Sequence, residues 1–326
     1  MKKSIILFII FSLMITSLYS GGNKEVFPEN FTLNVTALNG PTGIGMIHLF
    51  ENNPYLGDGV IAEYNVALAP KALVGDLAKG SVDIAVLPAN MPALLYAKNL
   101  NYKVAAITGL GALYVVSNDK SISTLSDLKG QTVFNAAKGA TPDFLSRFLL
   151  NNEGIDSEKD LYMDFSFSHA DLAKAIIGGL VETAILPEPF VTMVTEKSDV
   201  EVVLDFQDIW MDQQNSEDAY PMSVLVIKDE LIENYPLLVE KFLKAYKESI
   251  SKVNMNPAES AALVPDHGFT MSAEITEKAI PRINLKYIDG IECRDLLGDY
   301  LTILHSLDPK IIGGAVPGED LYYIER

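Results

Sequence analysis

The chain is poor in arginine, cysteine and tryptophan, and after its first 20 residues it has no long apolar run. Its four arginines are Arg147, Arg282, Arg294 and Arg326, and with the lysines they make 25 bases against 43 acids, a net charge of −18 at pH 7. Nucleic-acid binding needs a basic face matched to phosphates, so this balance excludes that class of partner. A single cysteine, Cys293, excludes an intrachain disulfide, an iron–sulfur cluster and a Cys-based zinc site. The four histidines, His48, His169, His267 and His305, are scattered. None forms the i, i+3 or i, i+4 pair that a helical metal site needs, so no metal and no cofactor are expected. Gly40 to Gly45 fails the phosphate-binding GxxxxGK[ST] pattern, because Met46 stands where lysine is required. No GxSxG occurs, so the α/β-hydrolase nucleophile is absent.

What is present is enough apolar residue for two sizeable cores. The 326 residues suggest two domains, and 48% hydrophobic against 21% charged is ordinary globular composition. The chain opens with Met1-Lys2-Lys3, continues as a mostly apolar run from Ser4 to Leu18, and reaches small residues at Ser20-Gly21-Gly22. That order is the plan of a secretory signal peptide, placed at residues 1–22. The apolar run is of signal-peptide length and short for a membrane span, which favours cleavage over a retained anchor. Gly21 stands where a lipoprotein would carry its cysteine, so the expected location is periplasmic or otherwise extracytoplasmic without a lipid. Losing Lys2 and Lys3 leaves 23 bases against 43 acids in the mature chain.

Beyond the leader, short β-branched runs alternate with segments at helical spacing. Phe31, Leu33, Val35 and Ala37 alternate with polar residues, and further strands are predicted at Val82–Leu87, Val104–Ile107, Tyr114–Val116, Thr132–Phe134, Val200–Leu204 and Ser223–Ile227. Such alternation predicts an α/β fold with parallel-rich sheets and helices on both faces. The chain also repeats itself. Gly80-Ser81-Val82-Asp83-Ile84-Ala85-Val86-Leu87-Pro88 returns 99 residues later as Gly179-Leu180-Val181-Glu182-Thr183-Ala184-Ile185-Leu186-Pro187. Ala37–Gly43 aligns loosely with Asn135–Thr141 at nearly the same offset. The period is too long for a solenoid and suggests two lobes of one design facing each other. The polar stretch from Gln207 to Tyr220 reads as a linker, and the strand and helices after it return the chain to the first lobe. The expected division is 30–116 plus 221–326 for one lobe and 117–220 for the other, with hinge crossings near Tyr114–Asp119 and Ala219–Ser223.

Several segments resemble a known family. They are Gly40-Pro41-Thr42-Gly43-Ile44-Gly45, Gly80 to Asn90, Leu125-Ser126-Asp127-Leu128-Lys129-Gly130-Gln131-Thr132-Val133, and Leu186-Pro187-Glu188-Pro189. Their order resembles the type II periplasmic substrate-binding proteins of ABC importers, in the branch for nitrate, sulfonates, taurine and thiamine precursors. The resemblance covers about residues 30–310. It implies a two-lobe type II fold with a ligand cleft between the lobes, closure on binding, and delivery to an ABC permease and its ATPase. It implies no catalysis, and the chain is read as a monomer. The alternative is an enzyme on the same fold. One cysteine cannot supply the cysteine-rich iron-binding segment of the pyrimidine synthases, and the menaquinone-pathway enzymes work in the cytoplasm, against the leader here.

In open α/β sheets ligands sit beyond the carboxyl ends of strands, where loops enter helices. The ligand-binding candidates are therefore Thr42, Gly43, Asn90, Ala140, Thr141, Glu188 and Trp210. Thr42 and Gly43 open the first helix, where Thr42 could touch ligand or cap its own helix. Asn90 follows Leu87-Pro88 and has the same two readings. Ala140 and Thr141 open the matching helix of the second lobe. Glu188 either accepts from a ligand NH or cationic group, or is a helix-start acid. Lys138 either pairs with Glu188 or is solvated. Trp210 either stacks on a planar ligand or packs beneath the linker. Arg147, the one arginine of the second lobe, lies too far along its helix to reach the cleft. Neutral or acidic candidates, on an acidic surface, lead to the expectation of a neutral or cationic ligand such as a heteroaromatic pyrimidine.

Overall fold

The computed structural model describes residues 25, 27–28, 31–136, 138–139 and 141–324; the leader at 1–22 and Ala140 lie outside them. The chain first lays down β1 (Phe31–Leu38), α1 (Pro41–Ile44), α2 (Ile47–Asn52), β2 (Val60–Ala67), α3 (Pro70–Ala78), β3 (Ile84–Pro88), α4 (Met91–Ala97) and β4 (Tyr102–Leu110). It then crosses to a second unit made of β5 (Leu113–Ser117), β6 (Thr132–Asn135), α5 (Thr141–Asn152), β7 (Tyr162–Asp164), α6 (His169–Ile177), β8 (Thr183–Pro187), α7 (Phe190–Lys197), β9 (Glu201–Asp205) and α8 (Phe206–Gln214). It returns through β10 (Pro221–Lys228), α9 (Asp229–Asn234), α10 (Pro236–Met255), α11 (Pro257–Leu263), α12 (Ala273–Ile283), β11 (Ile288–Asp289) and α13 (Gly290–Leu307). No helix among the described residues is long and apolar enough to cross a membrane.

The two sheets share one strand order. The first runs β11-β4-β10-β3-β1-β2 and the second β9-β5-β8-β6-β7, so β11 is the extra edge strand. In each, the central strands run parallel and the incoming crossing strand, β10 or β5, runs antiparallel to its neighbours. The sheets are thus mixed α/β, with helices packed on both faces. The expected boundary after Val116 moves. β5 pairs with β8 from Leu113↔Pro187 to Ser117↔Thr183, so the chain changes lobes at Gly111–Ala112.

The repeat in the sequence is a repeat of hydrogen bonds. After α3, Gly80 N donates to Leu77 O at 3.0 Å and Ser81 N to Asp76 O at 3.1 Å. After α6, Gly179 N donates to Ile176 O and Leu180 N to Ala175 O, both at 2.9 Å. These are two Schellman stops, each needing a residue in the left-handed region, and Gly80 and Gly179 sit there at φ 72° and 70°. At the far end of each repeated strand, Ala89 N donates to Met222 O and Glu188 N to Ala112 O, both at 3.0 Å. Both Leu-Pro strand ends are therefore tied directly to a crossing.

The stretch expected to be a linker is largely α8. Asp205 caps it by accepting from Gln207 N at 2.8 Å, and Phe206 and Trp210, one turn apart, turn inward. Only two apolar side chains in its first turns bury the face, so the surrounding acids and amides hid the helix in the sequence. The predicted apolar face of α10 is present: Val239, Phe242, Tyr246, Ile250 and Val253 are buried and Leu243 packs half-buried against them. The start of α10 receives a cap from a distance, where the Glu25 carboxylate accepts from Leu237 N at 2.5 Å and Leu238 N at 2.9 Å.

Candidate functional site

The ends of β1 and β3 in one lobe, and of β6 and β8 in the other, each lead through a short loop into a helix. Gly40 and Gly139, 99 residues apart, both take positive φ, 100° and 77°, in these loops. The geometry needed for a ligand between two helix starts is therefore built twice from one local pattern.

The expected residues fall into three groups. Thr42, in the first turn of α1, is half-buried and no side chain caps this helix. Asn90 precedes α4 without capping it; its Nδ2 instead donates to Ile311 O at 3.2 Å, fastening the strand end to the C-terminal turn Pro309–Ile312. Thr141 opens α5 half-buried, with its hydroxyl beside the Tyr300 phenol of α13. Those three stand at the helix starts as expected. Ala140 lies outside the described residues.

Gly43, Glu188 and Trp210 are each packed or bonded within the protein. A Cβ on Gly43 would stand 2.3 Å from Leu38 O and 2.8 Å from Phe269 Cε1, so close packing requires this glycine and Phe269 covers it. The Glu188 side chain has no exposure. Its carboxylate accepts from Thr192 N at 3.1 Å, Thr192 Oγ1 at 3.0 Å and Arg282 Nη1 at 3.3 Å. It is a helix-start acid of α7 that is already neutralised. Burial pushes its pKa above the ordinary carboxylate value, against the opposing pull of Thr192 and Arg282. Trp210 is 4% exposed and packs with Phe148, Tyr220 and Tyr300 at ring-centroid distances of 5.5, 5.5 and 6.1 Å. Phe148 belongs to the second lobe and Tyr300 to the first, so the indole packs between residues of both lobes.

Arg282 is the residue the sequence reading missed. It lies in α12 of the first lobe and reaches the second lobe at Glu188 and Thr192. No local signal marks it, because its partner is 94 residues away. Lys138 does not pair with Glu188; its Nζ sits over the Phe165 ring at 5.8 Å. Arg147 is held by Asp143 at 2.6 Å, and Asp143 also accepts from Gly139 N at 2.8 Å, which shapes the loop before α5. Every carboxylate placed at these strand ends is thus already engaged. His48 is a core residue bonded to Ser260 Oγ at 2.8 Å, and no group of His, Cys, Asp or Glu among the described residues could hold a metal ion. Burial raises the Cys293 thiol to about 12.

A cavity of about 720 Å³ is bounded by Leu110, Tyr114, Asp205, Arg282, Asn284 and Lys286. None of the expected ligand residues lines it.

The sequence pattern of the family described as "ABC transporter, phosphonate, periplasmic substrate-binding protein" matches residues 56–279, about two thirds of the chain. Among solved structures, an ABC transporter from Parabacteroides distasonis is similar at TM-score 0.78 and 26% identity, over 90% of this chain and 99% of that one. The periplasmic aliphatic sulphonate binding protein SsuA from Escherichia coli shares the fold at TM-score 0.69 and 18% identity, over 88% of this chain and 91% of that one. The periplasmic nitrate-binding protein NrtA from Synechocystis PCC 6803 shares it at TM-score 0.58 and 15% identity, over 82% and 76%. A Bacillus subtilis (strain 168) protein named as a binding protein, YtlA, is 24% identical over 173 residues. That match spans 53% of this chain and about half the length of the relative.

Proposed function

We infer the function from one premise: this chain belongs to the phosphonate-type periplasmic substrate-binding family of ABC transporters. Members of that family bind a substrate and do not transform it. The reading is an extracytoplasmic receptor that takes one small molecule between its lobes and presents it to an ABC permease with its ATPase. The observation that carries it is the paired construction of the strand ends, each tied to a crossing, with the helix starts of Thr42, Asn90 and Thr141 around them.

The ligand class follows from which groups remain available. Glu188 is consumed by Thr192 and Arg282, and Asp143 by Gly139 and Arg147, which removes the acceptors that a cationic ligand would need. The Asn90 amide is held by Ile311 O and the Thr141 hydroxyl by the Tyr300 phenol, which leaves the Thr42 hydroxyl and the Lys138 ammonium, and hydroxyl and ammonium groups donate to oxyanions. We propose a small molecule bearing an oxyanion, of the phosphonate, sulfonate or nitrate type. This replaces the neutral or cationic expectation, which counted Glu188 as a free carboxylate. A thermal-shift panel tests it, with methylphosphonate, ethanesulfonate and nitrate beside a pyrimidine and putrescine. A ligand at 100 times its dissociation constant stabilises the fold by about 2.7 kcal/mol, which such a panel resolves. Stabilisation by an anion, lost in Thr42→Val with Lys138→Gln, supports the reading. Stabilisation by the pyrimidine or putrescine alone overturns it.

Export with removal of residues 1–22 belongs to the same reading. Intact mass of protein from the envelope fraction should lack the leader and carry no lipid; a full-length mass would contradict it.

A further inference from the structure

The cations of α12 and of the segment after it are spaced every four residues, at 278, 282 and 286, and each meets a carboxylate outside the first lobe's core. Lys278 pairs with Glu196 near the end of α7, Arg282 with Glu188 before its start, and Lys286 with Asp218 on the return crossing. The order of partners makes α12 run antiparallel along α7. The opposite face of α12, with Thr276, Ala279, Ile280 and Ile283, is buried in the first lobe. The helix is thus fixed to one lobe by apolar packing and to the other by charge.

These two kinds of contact respond differently to motion. Apolar packing is dense and short-ranged, so α12 moves with the first lobe. Exposed ion pairs are individually weak and screened by salt, so the α7 side can release. Glu188 makes release costly at one point. Its carboxylate is fully buried, and without Arg282 only the Thr192 bonds would compensate it. Beside the strip, Asn284 clamps the first crossing and the Tyr114 hydroxyl of the second lobe donates to Arg282 O at 3.1 Å.

We propose that Lys278, Arg282 and Lys286 form an electrostatic latch that holds the two lobes in one relative arrangement. The inference goes beyond the receptor reading and needs no ligand for its test, so the two can fail separately. Nitroxide labels on Lys71→Cys in the first lobe and Lys174→Cys in the second, both exposed positions, report the interlobe distance, while the buried Cys293 stays unlabelled. The otherwise native chain should give one narrow distance distribution at low salt. Lys278→Glu should broaden it, and adding Glu196→Lys should restore it; both positions are about two-fifths exposed, so neither change threatens folding. Arg282→Gln should broaden it as well. Raising salt from about 0.01 M to about 1 M cuts the screening length from about 30 Å to about 3 Å and should broaden the labelled chain's distribution alone, leaving Lys278→Glu with Arg282→Gln unchanged. An identical narrow distribution in that double variant at low salt, or failure of the swapped pair to restore it, overturns the latch.

Discussion

Asn284 holds Gly111 in place through its side chain and holds the preceding residue through its backbone. Its Nδ2 donates to Gly111 O at 2.5 Å, while its own carbonyl accepts from Leu110 N at 2.9 Å. Asn284 sits at φ 53°, in the left-handed region that asparagine tolerates better than most residues, just past the end of α12. The first crossing between the lobes is therefore positioned by a residue that follows the latch helix directly.

Gly111 should not accept a side chain. A Cβ there would stand 2.4 Å from Tyr220 Cζ and 2.9 Å from Gln207 Oε1. Those two groups are bonded to each other at 2.8 Å, and Gln207 Oε1 also accepts from Leu113 N at 3.0 Å. Gly111→Ala should lower stability by about 1–3 kcal/mol through overpacking, read by urea denaturation. Gly75→Ala is the control. It lies inside α3 with open space around it, and should gain about 0.4–1 kcal/mol. Equal effects at the two sites would refute the packing argument.

The two Schellman stops should respond alike. Gly80→Ala and Gly179→Ala each force an L-residue into the left-handed region with no neighbour to clash, at an expected loss of about 1–2 kcal/mol. Urea midpoints of the two variants should shift by the same amount within error. A large shift at one and none at the other would mean that the repeat is not equivalent in energy.

Trp210 should matter to stability and not to ligand. Trp210→Ala empties a site between Phe148, Tyr220 and Tyr300 and should cost about 3–5 kcal/mol. Trp210→Phe, which keeps most of the packing, should bind the ligand within about twofold of the native Kd, a difference under about 0.5 kcal/mol. Loss of binding in a folded Trp210→Phe protein would return the indole to the site.

Acid should weaken the fold partly through His169. Its ring stacks on Phe190 at 5.5 Å, its Nε2 has no partner, and burial holds its pKa below the ordinary histidine value of 6.5. A base whose folded pKa is depressed contributes fully above its unfolded value. That contribution is lost as pH falls through 6.5, because the unfolded chain takes up the proton first. Stability measured between pH 7.5 and 5 should therefore fall less steeply in His169→Gln. His48, also lowered mainly by burial, will leave part of the slope. An unchanged slope would remove His169 from the acid response.

Local pattern was enough for most of the elements and for their duplication. The alternation at Phe31, Leu33, Val35 and Ala37 marks β1, the glycine-acid-apolar-proline runs mark β3 and β8, and one offset of 99 residues announces two lobes of equal strand order. These follow from backbone sterics and period, which act within a few residues. β2 and β7 were not legible, because each is an edge strand with half-exposed polar residues and little apolar contrast.

The fate of polar side chains was decided only in three dimensions. A carboxylate after Leu-Pro looks the same whether or not it has a partner; Arg282, brought across from the other lobe, is the partner that Glu188 finds. An indole among acids looks available until Phe148, Tyr220 and Tyr300 close around it from three separate stretches of chain. Sequence determines what each residue can donate, accept or bury. Which partner it finds depends on contacts between residues far apart in the chain, and those exist only once both sheets and both crossings have formed.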